Sequence, residues 1–133
     1  MVTLRDKRFR VSRSVDASLD SVWLILTDTH LWALWGPSVT AVESGDRYIR
    51  AGTTGRVKTA LFFWLSFVIT TYVDNRSWRW AVGKLQATGH TVEQGADGTT
   101  VVSFDMPLWA FFYIPICWLA LRRIDSLARQ QSS

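Results

Sequence analysis

Residues 106–121, MPLWAFFYIPICWLAL, followed by RRIDSLARQ at 122–130, decide how the rest of the chain must be arranged. From Pro107 onward the run reads as one long helix. Trp109, Phe112, Tyr113, Ile116, Ala120, Arg123, Ile124 and Leu127 recur at spacings of three and four, a stripe that needs a partner surface. Pro107 suits a first helical turn, whereas Pro115 falls inside the helix and predicts a bend near residues 111–115. Phe111, Ile114, Cys117, Trp118 and Leu121 lie off the stripe, so the first half of the helix is apolar on every side. Three arrangements compete: a helix plugging a concave sheet, a membrane-inserting segment, and two buried pieces hinged at Pro115. The 16 uncharged residues fall short of the roughly 20 that span a bilayer, which favours the plug and predicts no transmembrane span, though a peripheral membrane contact stays open.

A chain of 133 residues is long enough for one hydrophobic core, so residues 1–133 read as a single domain, with its core at about 8–128 and 129–133 as a disordered tail. The lone cysteine, Cys117, excludes an internal disulfide and reads as a core thiol. The net charge of +4 rests on one basic cluster, Arg5, Lys7, Arg8, Arg10 and Arg13. That cluster lacks the stacked aromatics of a nucleic-acid groove and alternates as the wet face of a strand would, so no nucleic-acid partner is expected. The first residues are charged and no apolar core follows them, so no signal peptide is visible and a cytoplasmic protein is the default. Eight Trp, seven Phe and three Tyr exceed what so small a core requires, pointing to aromatic walls around a cavity or to an apolar contact face.

Working back from the terminal run, residues 8–15 alternate as a strand. Ser18 is placed to cap a helix whose stripe is Leu19, Val22, Trp23 and Leu26 and which ends near Asp28. THLWALWGP at 29–37 reads as a second brief helix stopped by Gly36 and Pro37, with Trp32 and Trp35 one turn apart on one face. These two rings either anchor the corner to a sheet or line a cavity mouth. The pattern then changes to period two. Strands are predicted at 39–44, a short start at 48–51 interrupted at 52–55, then 56–60, 61–73, 76–82, 85–93 and 99–105, with turns at 45–46, 52–55, 74–75, 83–84 and 95–98. Short turns between strands imply an antiparallel meander, and the C-terminal helix alone is long enough to cover its apolar face.

Laid out in this way, the chain resembles the START-like (SRPBCC) superfamily, in the branch of polyketide cyclases/dehydrases and lipid-transport proteins that shares its fold with the major birch-pollen allergen. The residues that carry the likeness are VDASLDSVWLILTD, HLWALWGPSV, GTTGRV, TTYVDNRSWRW and GHTVEQGADGTTVVSF, in order and spacing across about residues 8–128. The resemblance implies an α+β helix-grip fold: a seven-stranded curved antiparallel sheet around a long C-terminal helix, two short helices between strands 1 and 2, and a cavity for an apolar ligand. Asp28, Trp35 and Trp80 match the pattern, and none of them is a catalytic signature.

A hydrophobic or aromatic small molecule, lipid or polyketide-like, is therefore the expected partner. Its cavity is expected to be walled by Trp64, Phe67, Trp78, Trp80, Trp109, Phe112, Tyr113 and Ile116. The enzyme alternative is a cyclase or dehydratase in which His90 or Tyr113 moves a proton and Arg79 steadies an enolate. Candidate partners of His90 are Arg79, Asp105 and Tyr113. Asp105, just before Pro107, otherwise reads as a cap for the last helix, and His30 as a surface or capping residue. A third reading is an interaction module, for instance a homodimer, burying Phe111, Ile114 and Trp118. Two distant histidines and one cysteine offer no metal site, and neither a nucleophile elbow nor a dinucleotide fingerprint is present, so no metal or cofactor is expected.

Overall fold

The computed structural model describes residues 2–5 and 7–132. Eight strands form one sheet: β1 Val2–Arg5, β2 Arg8–Val15, β3 Val39–Ser44, β4 Thr54–Thr59, β5 Trp64–Val73, β6 Ser77–Val82, β7 Leu85–Gln94 and β8 Thr100–Pro107. Their order is β1-β2-β8-β7-β6-β5-β4-β3, with every pairing antiparallel. Helices α1 Leu19–Thr27 and α2 Trp32–Trp35 lie between β2 and β3, and α3 Ile114–Ser132 closes the chain. This is the α+β helix-grip architecture. It has one strand more than the seven expected, because VTLR at the N-terminus pairs along β2 as an added edge.

Alternation decides which face is covered. On β2, Val11 and Val15 are fully buried, while Arg8, Arg10 and Ser12 pair across the outer face with Asp105, Glu93 and Ser103. Thr100, Val102, Phe104 and Met106 of β8 point inward, as do His90 and Val92 of β7 and Trp78 of β6. Helix α1 starts where Ser18 accepts the Ser21 N–H and presents Val22, Trp23, Ile25 and Leu26 to that face. Its free C-terminal carbonyls are satisfied by aromatic side chains. Trp32 Nε1 donates to Leu26 O at 2.9 Å and Trp35 Nε1 to Ile25 O at 3.2 Å, so the short WALW helix is held by its own indoles.

The terminal run departs from the sequence reading. Met106 and Pro107 continue β8, paired with Phe9 and Arg8, and residues Leu108–Tyr113 form a 3₁₀ segment broken at Ala110. Pro115 has no N–H to give the Phe111 carbonyl and its ring crowds the preceding turn, so the α-helix begins at Ile114. Pro115 thus occupies the first turn, where it is tolerated, and no mid-helix bend forms there. The buried side of α3 is Cys117, Ala120, Leu121, Ile124, Asp125 and Ala128, so Cys117 and Leu121, expected off the stripe, lie at its centre. Arg13, inward-facing on β2, donates from Nε to Asp125 Oδ2 at 2.8 Å and ties sheet to helix. Residues 129–132, expected as a tail, continue α3, while Ser133 lies outside the described residues. Two other boundaries move. Residues 48–51 form no strand, only a Tyr48–Asp28 bridge, and 61–63 form a turn before β5 rather than its start.

Candidate ligand cavity

Two adjacent spaces lie on the inner face of the sheet. The outer one has a volume of about 440 Å³ and is walled by β4–β8, the 61–63 turn and the 3₁₀ segment after β8. The inner one holds about 40 Å³ and lies behind it, against Trp32, Trp35, Trp78, His90 and Phe104. Ser38, Val39, Trp80, Thr88 and Tyr113 line both and form the partition. The outer wall is hydrocarbon and aromatic, with polar side chains only from Ser38, Thr59, Gln86, Thr88 and Tyr113. Among the described residues, no charged side chain lines either space.

Of the eight expected wall residues, Trp80 and Tyr113 line both spaces, Trp109 and Phe112 the outer, and Trp78 and Ile116 the inner. Trp64 and Phe67 line neither. Trp64 has the parity of Ser66 and lies on the outer face of the sheet, with the Arg56 guanidinium 4.9 Å from its ring centroid. Phe67 is inward but consumed by packing on Trp32 and Trp80 at 5.4 and 5.8 Å. The turn residues Leu61 and Phe63, the β7 residues Leu85, Gln86 and Ala87, and Met106 and Ala110 were not foreseen as wall residues. Their one sequence signal, the LFF run at 61–63, reads as the opening of a strand.

The floor is an aromatic stack. Trp78 lies between Trp32 (centroids 5.3 Å apart, planes 9° apart) and His90 (3.8 Å, 13°), and Trp80 meets Trp32 and Trp78 edge-on. The Trp78 carbonyl accepts from His90 Nδ1 at 3.4 Å, which leaves Nε2 as the acceptor for Thr88 Oγ1 at 3.2 Å. Trp80 Nε1 in turn donates to Thr88 Oγ1 at 3.4 Å. Neither Asp105 nor Arg79 nor Tyr113 bonds His90. Burial lowers its pKa to about 3, against the opposing pull of the Trp78 carbonyl. Trp78 Nε1 is buried and has no hydrogen-bond partner.

Arg79 and Asp105 lie across the sheet from the cavity. Arg79 grips Asp105 through both guanidinium nitrogens at 2.9 Å, and Arg8 adds a third bond at 2.7 Å. Burial works to raise the Asp105 pKa, but the two guanidiniums outweigh it and hold the carboxyl below its ordinary range. Asp105 therefore does not cap the last helix, and Arg79 has no access to a ligand in the cavity. Tyr113 bonds Ser38 across the partition, and burial raises its phenol pKa despite that bond. His30 is exposed, its N–H bonded to Asp28 Oδ1. Among the described residues, no three of His, Cys, Asp and Glu converge as a metal ion would require.

The sequence matches, over residues 6–119, the family described as polyketide cyclase / dehydrase and lipid transport. The chain belongs to that family. Among curated proteins, none matches. Solved structures superpose over nearly the whole chain. Protein Ms6760 from Mycobacterium smegmatis aligns at 17% identity over 98% of each chain, with a TM-score of 0.70. Protein NE0264 from Nitrosomonas europaea aligns at 14% identity over 97% of this chain and 99% of its own, with a TM-score of 0.74. XoxI from Bacillus cereus reaches the same TM-score at 11% identity, over 95% of this chain and 98% of its own. At such identities the likeness is one of fold. The space near the sheet–helix interface is hydrophobic and aromatic-walled, consistent with small-molecule binding.

Proposed function

We propose that the protein binds a small hydrophobic or aromatic molecule, without covalent chemistry, in the outer cavity between the sheet and the segment after β8. The observation that carries this reading is the uncharged wall around a space of about 440 Å³, a volume typical of small-molecule sites. Burying about 300 Å² of apolar ligand surface at about 25 cal/mol per Å² contributes roughly 7 kcal/mol before the cost of association. That suffices for binding by shape and area alone. The hydroxyls of Ser38, Thr88 and Tyr113 at the partition offer a ligand oxygen its orientation.

The same geometry argues against the cyclase alternative in the form that rests on His90 and Arg79. A general base needs a free acceptor of suitable basicity within reach of substrate. His90 has both nitrogens engaged and a pKa of about 3, and Arg79 is on the wrong face. A titration with the uncharged fluorophore N-phenyl-1-naphthylamine tests the binding reading. The wild-type chain is expected to take up one probe with enhanced emission, and Ala87→Trp, which fills the outer cavity, to weaken uptake at least tenfold while keeping the wild-type circular dichroism. Equal uptake by both proteins, or none by the wild type, overturns it.

A further inference from the structure

The end of the sheet at which the outer cavity opens carries more apolar surface than the cavity needs. Leu61, Leu85, Trp109 and Phe112 line the cavity, yet each is more than half exposed. Phe62 and Phe111 stand beside them at 74% and 62% exposure and line neither space. Phe62 holds its ring outward from a backbone φ of +68°, a left-handed conformation that disfavours bulky side chains and is retained here in full exposure. Contiguous exposed apolar side chains of this kind mark a contact surface.

The charge around the rim identifies the partner. Lys58 Nζ lies 5.6 Å from the Phe62 ring centroid, and Lys84 sits in the turn before Leu85. Segments 58–66, 80–88 and 106–124 contain no Asp or Glu. Among the described residues no carboxylate pairs with Lys58 or Lys84. A two-fold interface between copies would set these cations against one another with no counter-charge. Aromatic tips interleaved with unpaired lysines match instead the interface of a bilayer with anionic headgroups. Among the described residues no helix is long and apolar enough to cross that bilayer, so the proposed contact is a peripheral one.

We propose that this rim docks the cavity mouth on an anionic lipid bilayer, with Phe62 and Phe111 inserted at the headgroup level and Lys58 and Lys84 against lipid phosphates. An apolar ligand then passes between membrane and cavity without crossing water. Docking itself does not depend on which molecule the cavity takes.

Co-sedimentation of the full chain with vesicles tests it. The protein is expected to pellet with vesicles of equal parts phosphatidylcholine and phosphatidylglycerol, and at least tenfold more weakly with phosphatidylcholine alone. The double variant Phe62→Asn, Phe111→Ser is expected to lose binding at least tenfold, asparagine being at ease at the positive φ. Uptake of N-phenyl-1-naphthylamine in vesicle-free solution stays at the wild-type level in that variant, which shows that it is folded. Lys58→Glu with Lys84→Glu, a second and independent variant, removes the preference for the anionic vesicles. The proposal is overturned by failure to pellet with anionic vesicles or by binding indifferent to both variants. It is equally overturned by a concentration-dependent dimer in light scattering that the double variant dissolves, which would assign the rim to a second copy.

Discussion

His90 is a histidine used as an aromatic plate. Its ring lies flat on Trp78, its two nitrogens are consumed by Trp78 O and Thr88 Oγ1, and burial holds it neutral down to about pH 3. The sign of its effect on stability follows. The unfolded chain takes up a proton below about pH 6.5 that the folded chain refuses, so stability is complete above that pH. It then falls by roughly 1.4 kcal/mol per pH unit as the pH drops towards 3. Urea unfolding at stepwise pH is expected to show this decline, and His90→Gln to flatten it between pH 6 and 4. An unchanged slope in the variant would assign the decline to carboxylates. Cys117 is governed by the same burial, which raises its thiol pKa to about 12. Iodoacetamide at pH 8 is expected to leave the native chain unmodified and to alkylate one thiol in urea; rapid native modification would contradict the packing of α3.

At the scale of elements, the change of period after Pro37 and the apolar run at 106–121 made sheet and helix legible. The alternation of Trp78, Trp80 and Val82 correctly placed the aromatic face of β6. What local pattern does not carry is the point at which one element hands over to the next. Met106 and Pro107 are held in β8 by pairing with Phe9 and Arg8, ninety-odd residues away, and the 3.6-residue spacing of the terminal run therefore began too early. Trp64 lies on the other face for a simpler reason: it stands three residues from Phe67 in an unbroken stretch of β5, and an odd spacing puts the two side chains on opposite faces. With Pro115 in the first turn of α3, Pro115→Ala is expected to change unfolding free energy by less than about 1 kcal/mol, against roughly 3 for a mid-helix proline. Gly89 is a sharper test of the outer face. A Cβ there would lie 2.5 Å from Asp105 Oδ2 and 2.7 Å from Arg79 Nη1, so Gly89→Ala is expected to break that ion pair and lower the urea midpoint. A midpoint equal to that of the wild type would contradict the close approach.

For the molecule as a whole, the aromatic excess divides into two populations. Trp32, Trp35, Phe67 and Trp78 are buried and consolidate the floor, whereas Phe62, Trp109, Phe111 and Phe112 are exposed around the mouth. Between them Trp80 and Tyr113 partition a space that the packed core does not fill. The fold class and the family followed from sequence, but the polarity of the wall depends on side-chain orientation across five strands. The central claim is that this space holds an apolar molecule. Native mass spectrometry of the gently purified chain, before and after addition of N-phenyl-1-naphthylamine, tests it most directly. The account predicts one retained or added small molecule per chain, lost in Ala87→Trp. A bare chain that takes up no probe would contradict it.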